Sequence, residues 1–288
     1  MTSKIRFVTD SASDLPADMV EKWDIVVVPC FVNYGGKSYA DDGVELVRDQ
    51  YYAQLADMDE TPTTAAMPPA VAADHIRPLL DEADHIIIVA VPAKLSAIYN
   101  SMRLAVEQLK IPADRYTLID SGSVSLGLAF QVLIGAEVAA ETGDVQKTVS
   151  AIHRTRENTR VYATIGSIDF LRRSGRVGWA AAGIAGLLNI KPVVEVVDGD
   201  VHAIARVRTF NRALDKMVEL AREQGSIARL GLMDINNPEG MDYVTTQLAD
   251  VMPPPSHVIT GTIGPTVGTH IGPGSVGLVT VRQDGETI

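Results

Sequence analysis

The chain has 288 residues, and 25 lysine and arginine residues against 36 aspartate and glutamate residues give it a formal net charge of −11. Hydrophobic residues make up 46 % of the sequence and aromatic residues only 5 %, so the apolar content is mainly aliphatic. This composition excludes a disordered chain, and the acidic balance argues against a dedicated nucleic-acid-binding protein, whose phosphate-rich partner requires a positive surface.

Strands and helices alternate through the first half of the chain. Short apolar runs followed by polar loops predict strands at residues 5–8, 85–91 and 116–119. Apolar residues at three- and four-residue spacing predict helices at residues 69–82, 98–110 and 123–141. This alternation predicts an α/β fold that begins with an N-terminal α/β/α domain, whose mainly parallel sheet is covered by helices on both faces.

The polar loops that follow the predicted strands are expected to lie together. Parallel strands bring their carboxyl ends to one edge of a sheet, and ligands bind at that edge in such folds. The residues expected to be neighbours on this ground are Asp10 with Ser11, Ser96, and Asp120 with Ser121.

The second half of the chain has a different order of elements. Asp198–Gly199 is a hairpin turn signal between apolar runs. The predicted strands are residues 161–165, 192–197, 201–207, 230–235, 257–261 and 277–281, and the predicted helices are residues 177–189, 212–224 and 238–250. Consecutive hairpin and helix elements predict a C-terminal α/β domain with a mixed sheet. We place the two domains at residues 1–155 and 156–288, with a ligand between them.

Cysteine usage and the N-terminal sequence predict a cytoplasmic protein. The single cysteine, Cys30, has no partner for an internal disulfide, and no apolar run resembling a signal peptide precedes the first acidic residue. The longest apolar stretches, residues 124–140 and 177–190, are interrupted by Gly, Ser or Gln and are too short to span a membrane.

The common signatures of catalysis and cofactor binding are missing from the sequence. It has no P-loop, no GxGxxG after the first strand, no GxSxG, no HxH or HxxxH pair and no CxxC. We therefore expect no cofactor and no metal. Four carboxylates, those of Asp10, Asp41, Asp42 and Asp120, are candidates for a Mg²⁺ site, but carboxylates after strands more often anchor loops and cap helices.

Hydroxyl groups cluster in four loops, and His270 precedes a Gly-Pro-Gly turn that would present it on a shaped loop. The hydroxyl clusters are Thr9/Ser11/Ser13, Thr61/Thr63/Thr64, Ser96/Ser101 and Ser121/Ser123. One interpretation is that Ser13, Ser96 and Ser121 cap the helices that follow them. The other is that several of these loops converge on one anion, such as a carboxylate or phosphate.

Five motifs in order along the chain resemble those of the DegV family of bacterial fatty-acid-binding proteins. They are IRFVTDSASDLP (5–16), LSAIYNS (95–101), IDSGSVSLG (119–127), LRRSGRV (171–177) and HIGPG (270–274). The resemblance implies a two-domain carrier that buries one long-chain fatty acid in a tunnel between its domains. It also implies a partner, a separate fatty-acid kinase, which converts the presented carboxylate to an acyl phosphate for phospholipid synthesis.

The same resemblance assigns roles to individual residues. Matched to the family motifs, the carboxylate ligands are Thr64, Ser96 and His270, with help from Arg208 or, as the alternative, Arg206. The arginine that docks the kinase falls on Arg176. Two loops depart from the family pattern: TAAMP replaces TSQPS at 64–68, and Ala97 and Ile98 replace Gly and Thr. These changes predict a more apolar and tighter surrounding for the carboxylate.

Two rival functions remain open at this point. An esterase- or phosphatase-like hydrolase would use Ser96 or Ser121 as nucleophile, with His270 as base and Asp10 or Asp120 to orient it. A nucleic-acid or regulatory module would use Arg172, Arg173 and Arg176. Residues 151–180 carry six arginines against two carboxylates, a local charge of +4. This segment is suited to a kinase surface or to transient contact with a membrane.

Overall fold

The structure, a computed structural model, describes residues 3–58, 60–174 and 190–283. The strands of these residues are β1 (Ile5–Asp10), β2 (Val26–Val28), β3 (Phe31–Tyr34), β4 (Lys37–Ala40), β5 (Thr63–Ala65), β6 (His85–Ala90), β7 (Tyr116–Asp120), β8 (Thr159–Thr164), β9 (Lys191–Val197), β10 (Asp200–Val207), β11 (Ile227–Asp234), β12 (Val258–Thr262) and β13 (Val276–Arg282). The helices are α1 (Ala17–Trp23), α2 (Arg48–Leu55), α3 (Pro69–Ile76), α4 (Leu79–Glu82), α5 (Ile98–Leu109), α6 (Leu126–Thr142), α7 (Val145–Asn158), α8 (Ile168–Arg173), α9 (Phe210–Glu223), α10 (Pro238–Leu248) and α11 (Pro265–Ile271).

A four-stranded parallel sheet forms the N-terminal half, in the order β2-β1-β6-β7. Its central strand β6 has the sequence HIIIVA, and every residue of it is buried. A continuous apolar run of this kind is typical of a parallel strand covered on both faces. The predicted parallel sheet is therefore confirmed.

The C-terminal half contains a six-stranded mixed sheet, in the order β10-β9-β8-β13-β11-β12. Only β11 and β12 pair in parallel, and the other neighbours are antiparallel. The predicted hairpin between β9 and β10 is confirmed. Its turn residues, Asp198 and Gly199, have φ values of 50° and 75°, the left-handed conformation that two-residue hairpin turns require.

Several predicted elements differ from the structure. The helix predicted at residues 69–82 is two helices, α3 and α4, because Pro78 between them has no amide hydrogen to donate. The helix predicted to begin at residue 123 begins at Leu126, because Ser125 has a φ of 52° that a helix cannot contain. The helix predicted at residues 177–189 lies outside the described residues.

The sequence analysis missed strand β2, a small antiparallel sheet, β4-β3-β5, and the helices α2, α7, α8 and α11. Helix α7 is amphipathic and includes residue 155. The domain boundary predicted after residue 155 therefore falls within a helix, and it stays a prediction. Of the helices that the structure describes, none is long and apolar enough to cross a membrane.

Candidate functional site

An apolar cavity lies between the loops of the parallel sheet and one face of the six-stranded sheet. It encloses about 1100 Å³ free of protein atoms, counting the space at its mouth. Most of its wall is aliphatic, and it includes residues from β8, β9, β11 and β13. The residues with polar side-chain atoms that line it are Thr64, Ser96, Ser125, Tyr162, Thr266 and His270. Such a wall, apolar with a few polar groups, suits an apolar ligand with one polar end.

Thr64 and His270 meet at the cavity although 206 positions separate them in the chain. The Thr64 Oγ1 lies 2.9 Å from the His270 Nε2. Thr64 is half-buried on β5, while its neighbours Thr63 and Ala65 are exposed, as the alternation of side chains along a strand requires. When the His270 Nε2 carries the proton, it donates a hydrogen bond to the Thr64 Oγ1. The hydrogen of the Thr64 hydroxyl then remains available to a ligand.

Ser96 lines the same cavity, just before α5. Its Oγ accepts a hydrogen bond from the backbone N–H of Ile98, at 3.3 Å, but the N-cap position of α5 is Ala97, which offers no side-chain cap, so Ser96 is not the capping residue. A helix N-terminus carries a partial positive charge and unpaired N–H groups, which favour an anion nearby. The bond from the Ile98 N–H leaves the Ser96 hydroxyl hydrogen available to an anion at this helix end.

The capping interpretation is wrong for Ser13 and Ser121. Helix α1 begins at Ala17, and the residue before it is Pro16, which has no side-chain cap to offer. Ser121 lies five residues before the start of α6, and its Oγ donates instead to the carbonyl oxygen of Ser123, at 2.9 Å. Ser121 is fully buried and is not among the residues that line the cavity, so it is not placed as a nucleophile there.

Neither Arg208 nor Arg206 is among the described residues that line the cavity. Arg208 is exposed in the bend after β10, whereas Val201, near the start of that strand, is part of the cavity wall. Arg176, the predicted docking residue, lies outside the described residues.

The carboxylates considered for Mg²⁺ anchor loops instead. Asp10 accepts hydrogen bonds from the backbone N–H groups of Ala12 and Val91, both at 3.0 Å, and Asp120 accepts from those of Ala93 and Gly122. These bonds join the loops after β1, β6 and β7, which confirms that the loops are neighbours. Among the described residues, no group of three or more His, Cys, Asp or Glu side chains is arranged to hold a metal ion.

The sequence analysis predicted that His270 lies on a loop. In the structure it lies on the last turn of α11. Pro265 occupies the first position of this helix, where its missing N–H costs nothing, and Gly272, with a φ of 73°, ends it. The Gly-Pro-Gly segment therefore terminates a helix. The helix in turn sets the position of the His270 ring relative to Thr64.

Buried carboxylates from the N-terminal half hold the start of α11. The Asp14 Oδ1 accepts from the backbone N–H of Gly264 at 2.7 Å, and the Asp41 Oδ2 accepts from the backbone N–H and the hydroxyl of Thr266 at 3.0 and 2.5 Å. The Tyr52 hydroxyl donates to the carbonyl oxygen of Ile263 at 2.6 Å. Together these contacts fix the helix that carries His270 against the parallel-sheet half of the molecule.

Burial makes these acidic groups hard to ionise. Desolvation raises the pKa of Asp10 from 3.8 to about 7, and it raises the pKa of Asp14 to about 6 although the nearby Arg48 guanidinium opposes the shift. Burial also raises the pKa of Asp41, with the Thr266 donors acting against it. The sequence analysis considered Asp41 only as a metal ligand and missed Asp14, although Asp14 lies within the motif at 5–16.

Gly268 on α11 packs against Tyr52 of α2. A Cβ at this position would stand 1.8 Å from the Tyr52 hydroxyl oxygen. We expect Gly268→Ala to lower the free energy of unfolding by about 1–3 kcal/mol, because either the helix or Tyr52 must move. Urea unfolding of the single variants and of Gly268→Ala with Tyr52→Phe measures the effect. The cost of the alanine should be smaller in the Tyr52→Phe background, and an equal cost in both would contradict the assigned clash.

Comparison with known proteins places the chain in one family. Residues 4–283 match the family described as "Uncharacterised protein, DegV family". A DegV domain-containing protein from Deinococcus radiodurans is 33 % identical over 280 residues, which cover 95 % of this chain and 97 % of that protein.

Two solved structures extend the comparison to the fold. One is a fatty-acid-binding DegV family protein from Thermus thermophilus, with 28 % identity, a TM-score of 0.88, and coverage of 97 % of this chain and 100 % of that one. The other is a stearic-acid-binding protein from Eubacterium ventriosum, with 25 % identity, a TM-score of 0.85, and coverage of 96 % and 98 %. With a family match that spans nearly all of its residues, this chain belongs to the DegV family.

Proposed function

We propose that this chain binds one long-chain fatty acid in the apolar cavity, with the carboxylate at Thr64, Ser96 and His270. The observation that carries the proposal is the Thr64–His270 contact at the wall of a cavity that is otherwise mostly aliphatic. The fatty-acid-binding proteins from Thermus thermophilus and Eubacterium ventriosum, which share the fold, support it. Arg208 is left out of this carboxylate site because it is exposed and is not among the described residues that line the cavity.

The energetics of such a ligand agree with the composition of the cavity. Burying about 0.8 kcal/mol per methylene over a chain of about 16 carbons gives roughly 12 kcal/mol before the cost of immobilising the ligand is subtracted. The tail therefore supplies most of the affinity. The carboxylate needs only a few hydrogen bonds so that it is not left unpaired in an apolar site. The Thr64 and Ser96 hydroxyls supply them, and His270, by donating from Nε2 to the Thr64 Oγ1, leaves the Thr64 hydrogen for the carboxylate.

The proposal extends to a partner. In this account the chain is a carrier and not an enzyme, and it presents the bound carboxylate to a separate fatty-acid kinase for conversion to an acyl phosphate. The support for this step is the resemblance of the five motifs to those of the family. Arg176 stays the proposed docking residue on the same ground.

Native mass spectrometry of the purified protein, followed by solvent extraction, tests the binding proposal. We expect about one fatty acid per chain, lost on delipidation and restored by oleate or palmitate. A protein that is empty as purified and fails to bind either acid would overturn the ligand assignment.

Labelling with a serine-reactive fluorophosphonate tests the hydrolase alternative. Stoichiometric labelling that Ser96→Ala abolishes would contradict a pure carrier.

A further inference from the structure

A second pocket lies beside the start of β11 and the end of β13, and it shares no lining residue with the apolar cavity. Its cationic or protonatable side chains are those of Arg154, Arg229, Arg282 and His257, and we call it the basic pocket. Within the described ranges, no acidic side chain lines it. Arginines gathered in this way are unexpected in a protein with a net charge of −11.

Asn158 organises the arginines of the basic pocket. It is 8 % exposed, and its Oδ1 accepts two hydrogen bonds from Arg282, from Nε at 3.1 Å and from Nη2 at 2.8 Å. Its Nδ2 donates to the carbonyl oxygen of Arg154, one helical turn earlier in α7. Because side chains four positions apart share one face of a helix, Arg154 projects from the same side as Asn158. A neutral amide thus holds Arg282 in place without cancelling its charge.

The charge of the basic pocket is only partly compensated. Arg229 forms an ion pair with Glu137, at 2.5 Å. Arg154 and Arg282 have no ion-pair partner among the residues that the structure describes. Two unit charges in this pocket are therefore available to an anion.

The sequence analysis predicted a positive patch within residues 151–180. In the structure, several arginines of the described part, residues 151–174, form ion pairs. Arg156 pairs with Asp198, and Arg160 pairs with Glu195. Arg172 pairs with Asp169, its neighbour on α8. Of the arginines in residues 151–174, Arg154 is the one that lines the basic pocket.

We propose that the basic pocket binds the phosphate group of a phosphate monoester. Such a group carries nearly two negative charges at neutral pH and three acceptor oxygens, which match two uncompensated guanidinium groups better than a carboxylate does. The floor of the pocket is apolar and includes Ile134, Ile227 and Val281, which can contact the carbon skeleton of the ester. An organic phosphate should therefore bind more tightly than inorganic phosphate.

Calorimetric titration at constant ionic strength tests this proposal, with inorganic phosphate and butyl phosphate as probes. We expect both to bind, butyl phosphate more tightly, and Arg154→Gln and Arg282→Gln each to weaken binding about tenfold or more. Arg172→Gln and Arg173→Gln, on the exposed face of α8, are the matched controls and should leave binding unchanged. Absence of binding to the wild-type protein, or equal weakening by the control and pocket variants, would overturn the proposal.

A second arm identifies where the phosphate comes from. Vesicles of phosphatidylcholine with and without phosphatidic acid are sedimented with the wild-type protein and with the Arg154→Gln/Arg282→Gln variant. Sedimentation that needs both phosphatidic acid and the two arginines supports a lipid headgroup, and titration by butyl phosphate alone supports a soluble ester. Because the two pockets share no lining residue, fatty-acid binding should be unchanged in every variant, so failure here leaves the proposed carrier function intact.

Discussion

Simultaneous removal of the Thr64 and Ser96 hydroxyls is expected to weaken the binding of a long-chain fatty acid by about 10²–10⁴-fold. Each hydrogen bond to an ionised group contributes roughly 1.5–3 kcal/mol, and two are lost in Thr64→Val with Ser96→Ala. Both side chains are only half-buried, so the fold should tolerate the changes. The tail contacts remain, and weak binding should therefore persist. Titration of the delipidated protein with palmitate measures the loss.

Thr63→Val is the matched control for this experiment. Thr63 precedes Thr64 on β5, but its side chain is exposed and does not line the cavity. It should leave the palmitate affinity within about twofold of the wild-type value, as expected for a surface change. If the double variant binds palmitate as tightly as the Thr63→Val protein does, Thr64 and Ser96 do not hold the carboxylate.

Asp41→Ala is expected to lower the free energy of unfolding by about 2–4 kcal/mol. The substitution deprives the backbone N–H and the hydroxyl of Thr266 of their acceptor, and both groups are in a residue that is only 8 % exposed. An unsatisfied buried donor costs roughly 1–3 kcal/mol. Because Thr266 lies in the first turn of the helix that carries His270, palmitate affinity should fall as well. Urea unfolding and palmitate titration measure the two effects.

The neighbouring residue provides the control for Asp41. Asp42 is exposed, and its Oδ1 accepts only from the backbone N–H groups of Val44 and Glu45 within its own loop. Asp42→Ala should cost no more than about 1 kcal/mol, because water can replace those bonds. An equal loss of stability in the two variants would show that the contact with α11 is not what makes Asp41 important.

The apolar runs were enough to predict most strands, because a buried strand needs a continuous or alternating apolar pattern that is visible in a few residues. Strands β1, β6 and β7, and the hairpin at Asp198–Gly199, were predicted correctly for this reason. The missed strand β5 is three residues long, with two of them exposed, so it has no such pattern. It forms because β3 offers it a hydrogen-bonding edge.

Candidate site residues could be named from motifs, but their environments could not. The resemblance pointed to Thr64, Ser96 and His270, and the structure has all three at one cavity. It also pointed to Arg208, which lies at the exposed end of a long strand. A motif records which residue types follow one another. Where a residue of a strand lies relative to a cavity depends on how that strand pairs with the neighbouring strands, which a motif does not contain.

By itself, the sequence determined that this chain is an acidic, aliphatic α/β protein with a parallel sheet followed by a mixed one, and its motifs pointed to the DegV family. Only the tertiary structure decided that His270 lies on a helix held by Asp14 and Asp41, and that Arg154 and Arg282 share a pocket. The reason is the range of the interactions. Apolar periodicity and turn preferences act within a few residues, whereas these contacts depend on packing between segments that are far apart in the chain.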